Sequence, residues 1–266
     1  MLLKDKLLAN ASLEFDGRLF HQKSASIFSE FQEPYIRIRE KEGRLYEDEV
    51  VRNLPLFPPQ REKNNEWRTR AFSTAMITRY LGSRRNLHAV MELGCGSGWL
   101  SDNLAKTLSA EVCGIDINIL ELKQGARLFS RPNLLFVNGD VMSLDLPACF
   151  DVIILAGSIQ YFPNVGKLMD RLFAFLHEGG EIHVLDSPIY KSRTDGDRAK
   201  ERSRKYFESF GVPEMHVHYF HHSFDDFNNY QLRVASDPSS ILSKIKRKVS
   251  GMAGPIFPLV IVTKAA

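Results

Sequence analysis

From about residue 88 onward, short apolar runs alternate with stretches in which apolar residues recur every three or four positions. The runs at 88–93, 111–115, 134–138, 151–156, 181–186 and 258–263 are rich in Val, Ile, Leu and Phe, and each is too short for a helix. They are expected as strands buried on both faces. Between them Leu100, Leu104 and Leu108 form one stripe, Ile119, Leu122, Ala126 and Phe129 a second, and Val165, Leu168, Leu172 and Phe175 a third. Each stripe is the single apolar face of an amphipathic helix. The alternation predicts an α/β fold, an open, doubly wound, mostly parallel sheet with helices on both sides. Gly179-Gly180 is expected to cap the third helix and release the chain into the strand at 181–186.

The first 87 residues are less regular. Prolines at 34, 55, 58 and 59 interrupt them, and 54–60 reads as an extended connector. A helix is expected over 66–81, where Trp67, Ala71 and Ala75 make one row and Phe72, Met76 and Tyr80 the next. The chain therefore divides into an N-terminal helical cover, 1–87, and a main domain, 88–266, with an insertion at about 188–224 after the fifth strand. That placement suits a lid over a ligand pocket.

Composition narrows the class. Of 266 residues, 44% are hydrophobic and 25% charged, enough apolar material for a large globular core. A formal charge of +3 permits acidic partners and requires none, so nucleic acid is not expected. Cys95, Cys113 and Cys149 fit neither a disulfide framework nor a zinc motif and read as reduced thiols. No apolar run is long enough to span a bilayer, and charges at Lys4, Asp5 and Lys6 break any signal-peptide core. A cytoplasmic protein is expected, and its oligomeric state is not legible.

The chemistry concentrates around Gly94-Cys95-Gly96-Ser97-Gly98, directly after the first run of the main domain. Missing Cβ atoms let a strand-to-helix turn wrap closely around a nucleotide-like ligand. A dinucleotide fingerprint needs glycine at 99, where this chain has Trp99. Glu92, two residues before the first glycine, would repel a pyrophosphate but suits an ammonium group. Asp116 ends the second run, 20 positions after Gly96, where a doubly wound sheet presents an acid to a ribose diol.

The string Glu92-Leu93-Gly94-Cys95-Gly96-Ser97-Gly98 resembles the first motif of class I S-adenosylmethionine-dependent methyltransferases. Asn138-Gly139-Asp140-Val141 resembles the family's G-D motif, and 150–162 its fourth motif, while Leu176-His177-Glu178-Gly179-Gly180-Glu181 is similar to its L-x-P-G-G-x turn with Glu178 in place of proline. The similarity covers about 88–187 and looks most like the small-molecule enzymes of quinone and natural-product biosynthesis. It implies a seven-stranded Rossmann-like sheet and S-adenosyl-L-methionine as cofactor. Glu92, Gly94, Gly96 and Gly98 would form the cofactor loop, Asp116 and Ile117 would meet the ribose and adenine face, Asp140 and the Val141 amide the adenine edge, and Ala156 would leave room for the methyl group. The D/N-P-P-Y/F signature of base-amino methylases is absent, which favours a small-molecule acceptor.

Tyr161 and His222 are the candidate catalytic residues. Tyr161 follows the fourth strand, and serves either proton transfer or as an aromatic wall. His222 is chosen from the cluster His216, His218, His221 and His222; were 215–220 a strand, His216 and His218 would share a face as a polar surface row, and no metal site is expected. Lys191, Arg193, Arg198, Lys200, Arg202, Arg204 and Lys205 suit either an anionic acceptor or a solvated outer face, and the basic run at 243–250 suits a phosphate, an anionic membrane or a solvated connector. Arg70 stands where it would pair with a cofactor carboxylate, and Trp67 where it would cover the ligand or pack its helix. Two other functions stay open at this point, a non-catalytic nucleotide-binding module and an NAD(P)-dependent oxidoreductase, the latter disfavoured by Trp99 and Glu92.

Overall fold

The computed structural model describes residues 2–23, 29–57, 64–238 and 256–265. The chain begins with α1 (Leu3–Leu8), a hairpin of β1 (Leu13–Phe15) and β2 (Phe20–Gln22), then α2 (Ser29–Lys41), α3 (Asp48–Asn53) and α4 (Asn64–Gly82). There follow β3 (Ala89–Leu93), α5 (Trp99–Thr107), β4 (Glu111–Asp116), α6 (Ile119–Leu128), β5 (Leu134–Asn138), β6 (Phe150–Ala156), α7 (Val165–Phe175) and β7 (Leu176–Leu185). Past β8 (Ile189–Tyr190) and α8 (Arg193–Ser209) come β9 (His222–Ser223), β10 (Tyr230–Ser236) and β11 (Leu259–Lys264). Short 3-10 turns lie at Ile159–Tyr161, Pro213–His218 and Phe224–Phe227.

One sheet has the order β1-β2-β5-β4-β3-β6-β7-β11-β10. Its centre, from β2 to β7, is parallel, and β1, β11 and β10 run antiparallel to their neighbours. The central strands are apolar on both faces because both faces are covered: Val152, Ile153 and Ile154 are all 0% exposed. Alternate residues feed two cores. Met91 and Leu93 join Leu168, Met169 and Leu172 of α7, whereas Val90 joins Leu100 and Leu104 of α5 and Ile77 and Leu81 of α4. A smaller cluster of Ile38, Phe207, Val212 and Met215 locks α2 to α8 and the turn after it.

The structure corrects several expectations. The sheet has nine strands where seven were expected, since the hairpin of β1 and β2 extends it alongside β5 and the first 87 residues are not wholly helical. Three-residue strands carry too few positions for an alternation to show. Helix α7 ends at Phe175, not at Gly179: Leu176 is buried and already pairs with Phe150, and the Cys149 amide donates to the Phe175 carbonyl. Gly179, with φ +73°, therefore bends the start of β7 instead of capping a helix. Pro213–His218 form a 3-10 turn opened by Pro213, which cannot donate to a ladder, so His216 and His218 are not a row on a strand face. Strand β10 went unseen because its outer positions are polar and largely exposed. The basic run at 243–250 and Pro58 and Pro59 lie outside the described residues. Among those described, no helix is long and apolar enough to cross a membrane.

Candidate functional site

Strands β3 and β4 end side by side, with Leu93 opposite Ile115, and the chain turns at once into α5. Gly94, Gly96 and Gly98 take φ values of +75°, +54° and +71°, a region that costs any residue with a Cβ. Their roles differ. A Cβ on Gly94 would fall 2.4 Å from Ser158 Cβ, and one on Gly98 2.4 Å from Phe136 Cε1, so these two glycines close the turn against the protein itself. A Cβ on Gly96 would come no nearer than 3.5 Å to any neighbour, the Glu121 carboxylate being the nearest, so this glycine leaves space for a ligand.

That space belongs to a cleft of about 850 Å³ at the carboxyl ends of the central strands. Glu92, Gly94, Gly96, Ala156 and Tyr161 of the expected residues line it, and Arg70 and Trp67 join them from α4. Gly98, Asp116, Ile117, Asp140, Val141 and His222 are not among its lining residues. The buried Glu92 carboxylate accepts the Ser101 hydroxyl at 2.5 Å. Burial, reinforced by the negative charge of Asp116, pushes its pKa up to about 8, against the Ser101 hydrogen bonds and the Arg70 charge.

Asp116 turns its carboxylate onto the loop, accepting the Gly96 amide at 2.6 Å and the Asn118 amide at 2.7 Å. Burial and the Glu121 charge raise it to about 6. Next to it, the Ile117 carbonyl accepts from Gln32 at 2.8 Å and from Asn138 at 3.0 Å. The Asp140 amide donates to Gln22 at 2.9 Å, its carboxylate accepts the Met142 amide at 2.9 Å, and Val141 is core. His222 is buried with Nε2 donating to the Ile159 carbonyl at 3.2 Å, beneath the turn that carries Tyr161, and burial lowers its pKa. His222 lies outside the lining of the cleft, so the structure does not place it as a base there.

Several lining residues carried no local signal in the sequence. Helix α2 brings Tyr35, Ile38 and Arg39 to the cleft, and the segment after β7 brings Ser203, Phe207, Met215 and Tyr219. The Tyr161 ring stands edge-on to Tyr35 at 5.6 Å and to Tyr219 at 5.9 Å. Burial raises the Tyr161 and Tyr35 pKa values, which keeps both phenols neutral near pH 7. Trp99 fills the position where a dinucleotide fingerprint needs its third glycine and packs edge-on against Trp67 at 5.2 Å. At the far wall Arg70 donates to Glu66 at 3.2 Å, and Asp186, held at φ +53°, accepts the Ser73 hydroxyl at 2.6 Å. Position after a parallel strand end was the one available clue to Gln160 and Asp186.

None of the seven basic residues between Lys191 and Lys205 lines the cleft. Arg204 pairs with Glu201 and Glu208 on the outer side of α8, and Arg193 lies 3.8 Å from Asp226. The histidines disperse as well: His216 Nδ1 meets the Pro213 carbonyl, and His221 Nε2 meets the Ser203 hydroxyl at 2.9 Å.

Comparison with known proteins follows the geometry. Residues 90–180 match the family model described as methyltransferase domain. The chain is 35% identical over 97 residues to trans-aconitate 2-methyltransferase of Deinococcus radiodurans, a match covering 36% of each chain. It is 30% identical over 112 residues to ubiquinone biosynthesis O-methyltransferase of Xylella fastidiosa, covering 40% of this chain and 45% of that one. The matched stretch thus spans less than half the length of either relative. The plantazolicin methyltransferase BpumL, solved with a monoazolic desmethylPZN analog and SAH, shares the fold at a TM-score of 0.53 and 18% identity, covering 87% of this chain and 100% of that one.

Proposed function

We propose that the chain carries a class I S-adenosylmethionine-dependent methyltransferase domain that binds S-adenosyl-L-methionine in the cleft and transfers its methyl group to a small-molecule acceptor. One observation carries the reading: the glycine turn at Gly94 and Gly96 and the buried acid Glu92 line the same cleft. A cation-bearing ligand satisfies such an acid, and a pyrophosphate would not. The volume of about 850 Å³ is of the size that holds a cofactor and a second small molecule.

When bound, the cofactor supplies a methyl group on a cationic sulfur. Glu92 would meet its ammonium group and Arg70 its carboxylate, fixing the amino-acid end. Gly96 gives the backbone close approach, and Asp116, already at the turn, would take the ribose hydroxyls. Asp140 and the Val141 amide would hold the adenine edge, beside Ile117, once Gln22 and Gln32 give way. Ala156 leaves room beside the reacting centre. Tyr161, neutral and packed among aromatic rings, serves as a wall that orients the acceptor and excludes water. Catalysis then rests on alignment and desolvation, which suit a reaction in which charge on sulfur disappears. Segments α2 and α8 with the turn after it act as the lid over the acceptor side.

Titration calorimetry with S-adenosylhomocysteine and with NADH tests the cofactor: binding of the first alone is expected, and binding of NADH alone would overturn the proposal. Incubation with methyl-labelled cofactor and a metabolite extract tests turnover, with label expected in a small organic product. Binding without any labelled product would favour a non-catalytic module.

A further inference from the structure

Gln160 follows Ala156, the last residue of β6, by four positions and lines the cleft while only 7% exposed. Its side-chain nitrogen donates to the Gly157 carbonyl at 2.6 Å. A carbonyl accepts and cannot donate, so this contact fixes the orientation of the amide and turns Oε1 the other way. That oxygen is buried and has no hydrogen-bond partner. Buried acceptors are nearly always satisfied, so an orphan on a cleft wall marks a place where the ligand supplies the partner.

Its neighbours indicate which part of the ligand that is. Strand β6 lies beside β3, with Ile154 opposite Glu92, and Ser158 packs against the Gly94 Cα. Gln160 shares the cleft wall with Glu92 and directly precedes Tyr161 in the chain. In the proposed reading, on which this inference rests, the amino-acid end lies at Glu92 and the acceptor at Tyr161, and the group between them is the sulfonium with its methyl. The structure assigns Gln160 Oε1 as the contact for the positively polarised S-methyl group, making Gln160 a positioning residue that favours the methylated donor over its demethylated product. The negative end of the amide dipole faces the charge that the sulfonium spreads onto its methyl hydrogens. A neutral oxygen gives this attraction without placing a second buried carboxylate near Glu92. Once the methyl has left, the sulfur is a neutral thioether, the attraction is gone, and release of the product is eased.

Equilibrium binding of S-adenosylmethionine and of S-adenosylhomocysteine, with no acceptor present, tests the assignment on the wild-type protein, Gln160→Met and Gln160→Asn. In Gln160→Met the preference for the methylated ligand is expected to fall roughly tenfold while affinity for S-adenosylhomocysteine stays within about twofold, the size of effect expected for a hydrogen bond to a charged group. Retained binding of the second ligand shows that the cleft is folded. Gln160→Asn, one methylene shorter, is expected to shift the preference in the same direction. An equal change for both ligands, or no change, would overturn the role of Gln160, as it would if Oε1 instead served the acceptor. Failure of the wild-type protein to bind either ligand would overturn the cofactor reading itself.

Discussion

Replacing Glu92 with glutamine keeps the shape of the cleft floor and removes one titrating proton. With the carboxyl held at about 8, roughly one molecule in ten carries the charge at pH 7 that an arriving ammonium group requires. Binding of S-adenosylhomocysteine is then expected to expel about 0.9 proton from Glu92 at pH 7, at a cost of about 1.4 kcal/mol or tenfold in affinity. Affinity should climb nearly tenfold per unit between pH 6.5 and 7.5, below the ordinary α-amino range of about 7.7 to 8.0, so that the ligand keeps its own charge. Asp116, at about 6, is mostly ionised by then and adds only about 0.1 proton at pH 7, equally in both proteins. Calorimetry in phosphate and in Tris counts the protons from the dependence of the observed enthalpy on the buffer's ionisation enthalpy. Equal proton release by wild type and E92Q, or a flat wild-type affinity over that window, would show that Glu92 does not face the ammonium.

The same shift has a stability counterpart. The folded-state value of Glu92 lies above the 4.5 of the unfolded chain, so stability is full below pH 4.5 and is lost as pH rises toward 8. E92Q should melt above wild type at pH 8.5, with the gap closing by about pH 4.5.

Gly98→Ala should destabilise the protein by about 3 kcal/mol, combining positive φ with a 2.4 Å approach to the buried Phe136. Gly96→Ala, with its nearest neighbour at 3.5 Å, should cost only about 1 kcal/mol yet weaken S-adenosylhomocysteine binding at least tenfold; urea unfolding and calorimetry separate the two, and equal losses of stability would refute the division of labour. Glu66, held down to about 2 against burial by Arg44 and Arg70, contributes stability above pH 4.5 that is lost as pH falls through about 2. Glu66→Gln should therefore cost about 2 kcal/mol at pH 7, with the deficit shrinking below pH 4.5, and a deficit independent of pH would contradict the ion pairing.

The central strands were legible because they are buried on both faces and read as short, mainly apolar runs: 134–138 matches β5 to the residue, and β3, β4, β6 and the antiparallel β11 agree to within one. Edges were not. Strand β10 exposes Gln231, Arg233 and Val234, and the hairpin of β1 and β2 is held by pairing with β5 and not by its own pattern. The site divided in the same way. Its floor, Glu92 to Gly96 with Ala156 and Tyr161, follows from a local motif, because the turn must have those residues in sequence. Tyr35, Arg39, Ser203 and Tyr219 reach the cleft only through the packing of α2 on α8, which no short window contains. His222 illustrates the converse error, a residue of suitable chemistry that is buried with Nε2 on the Ile159 carbonyl and does not line the cleft.

The floor of the cleft and its roof come from stretches of chain that share no residues, 92–161 below and α2 with 203–219 above. Diversification of the upper stretches leaves the glycine turn and its acid intact, so donor use can stay constant while the molecules accepted change. An engineer seeking a new specificity would vary Tyr35, Phe207, Met215 and Tyr219 together and leave the lower half alone.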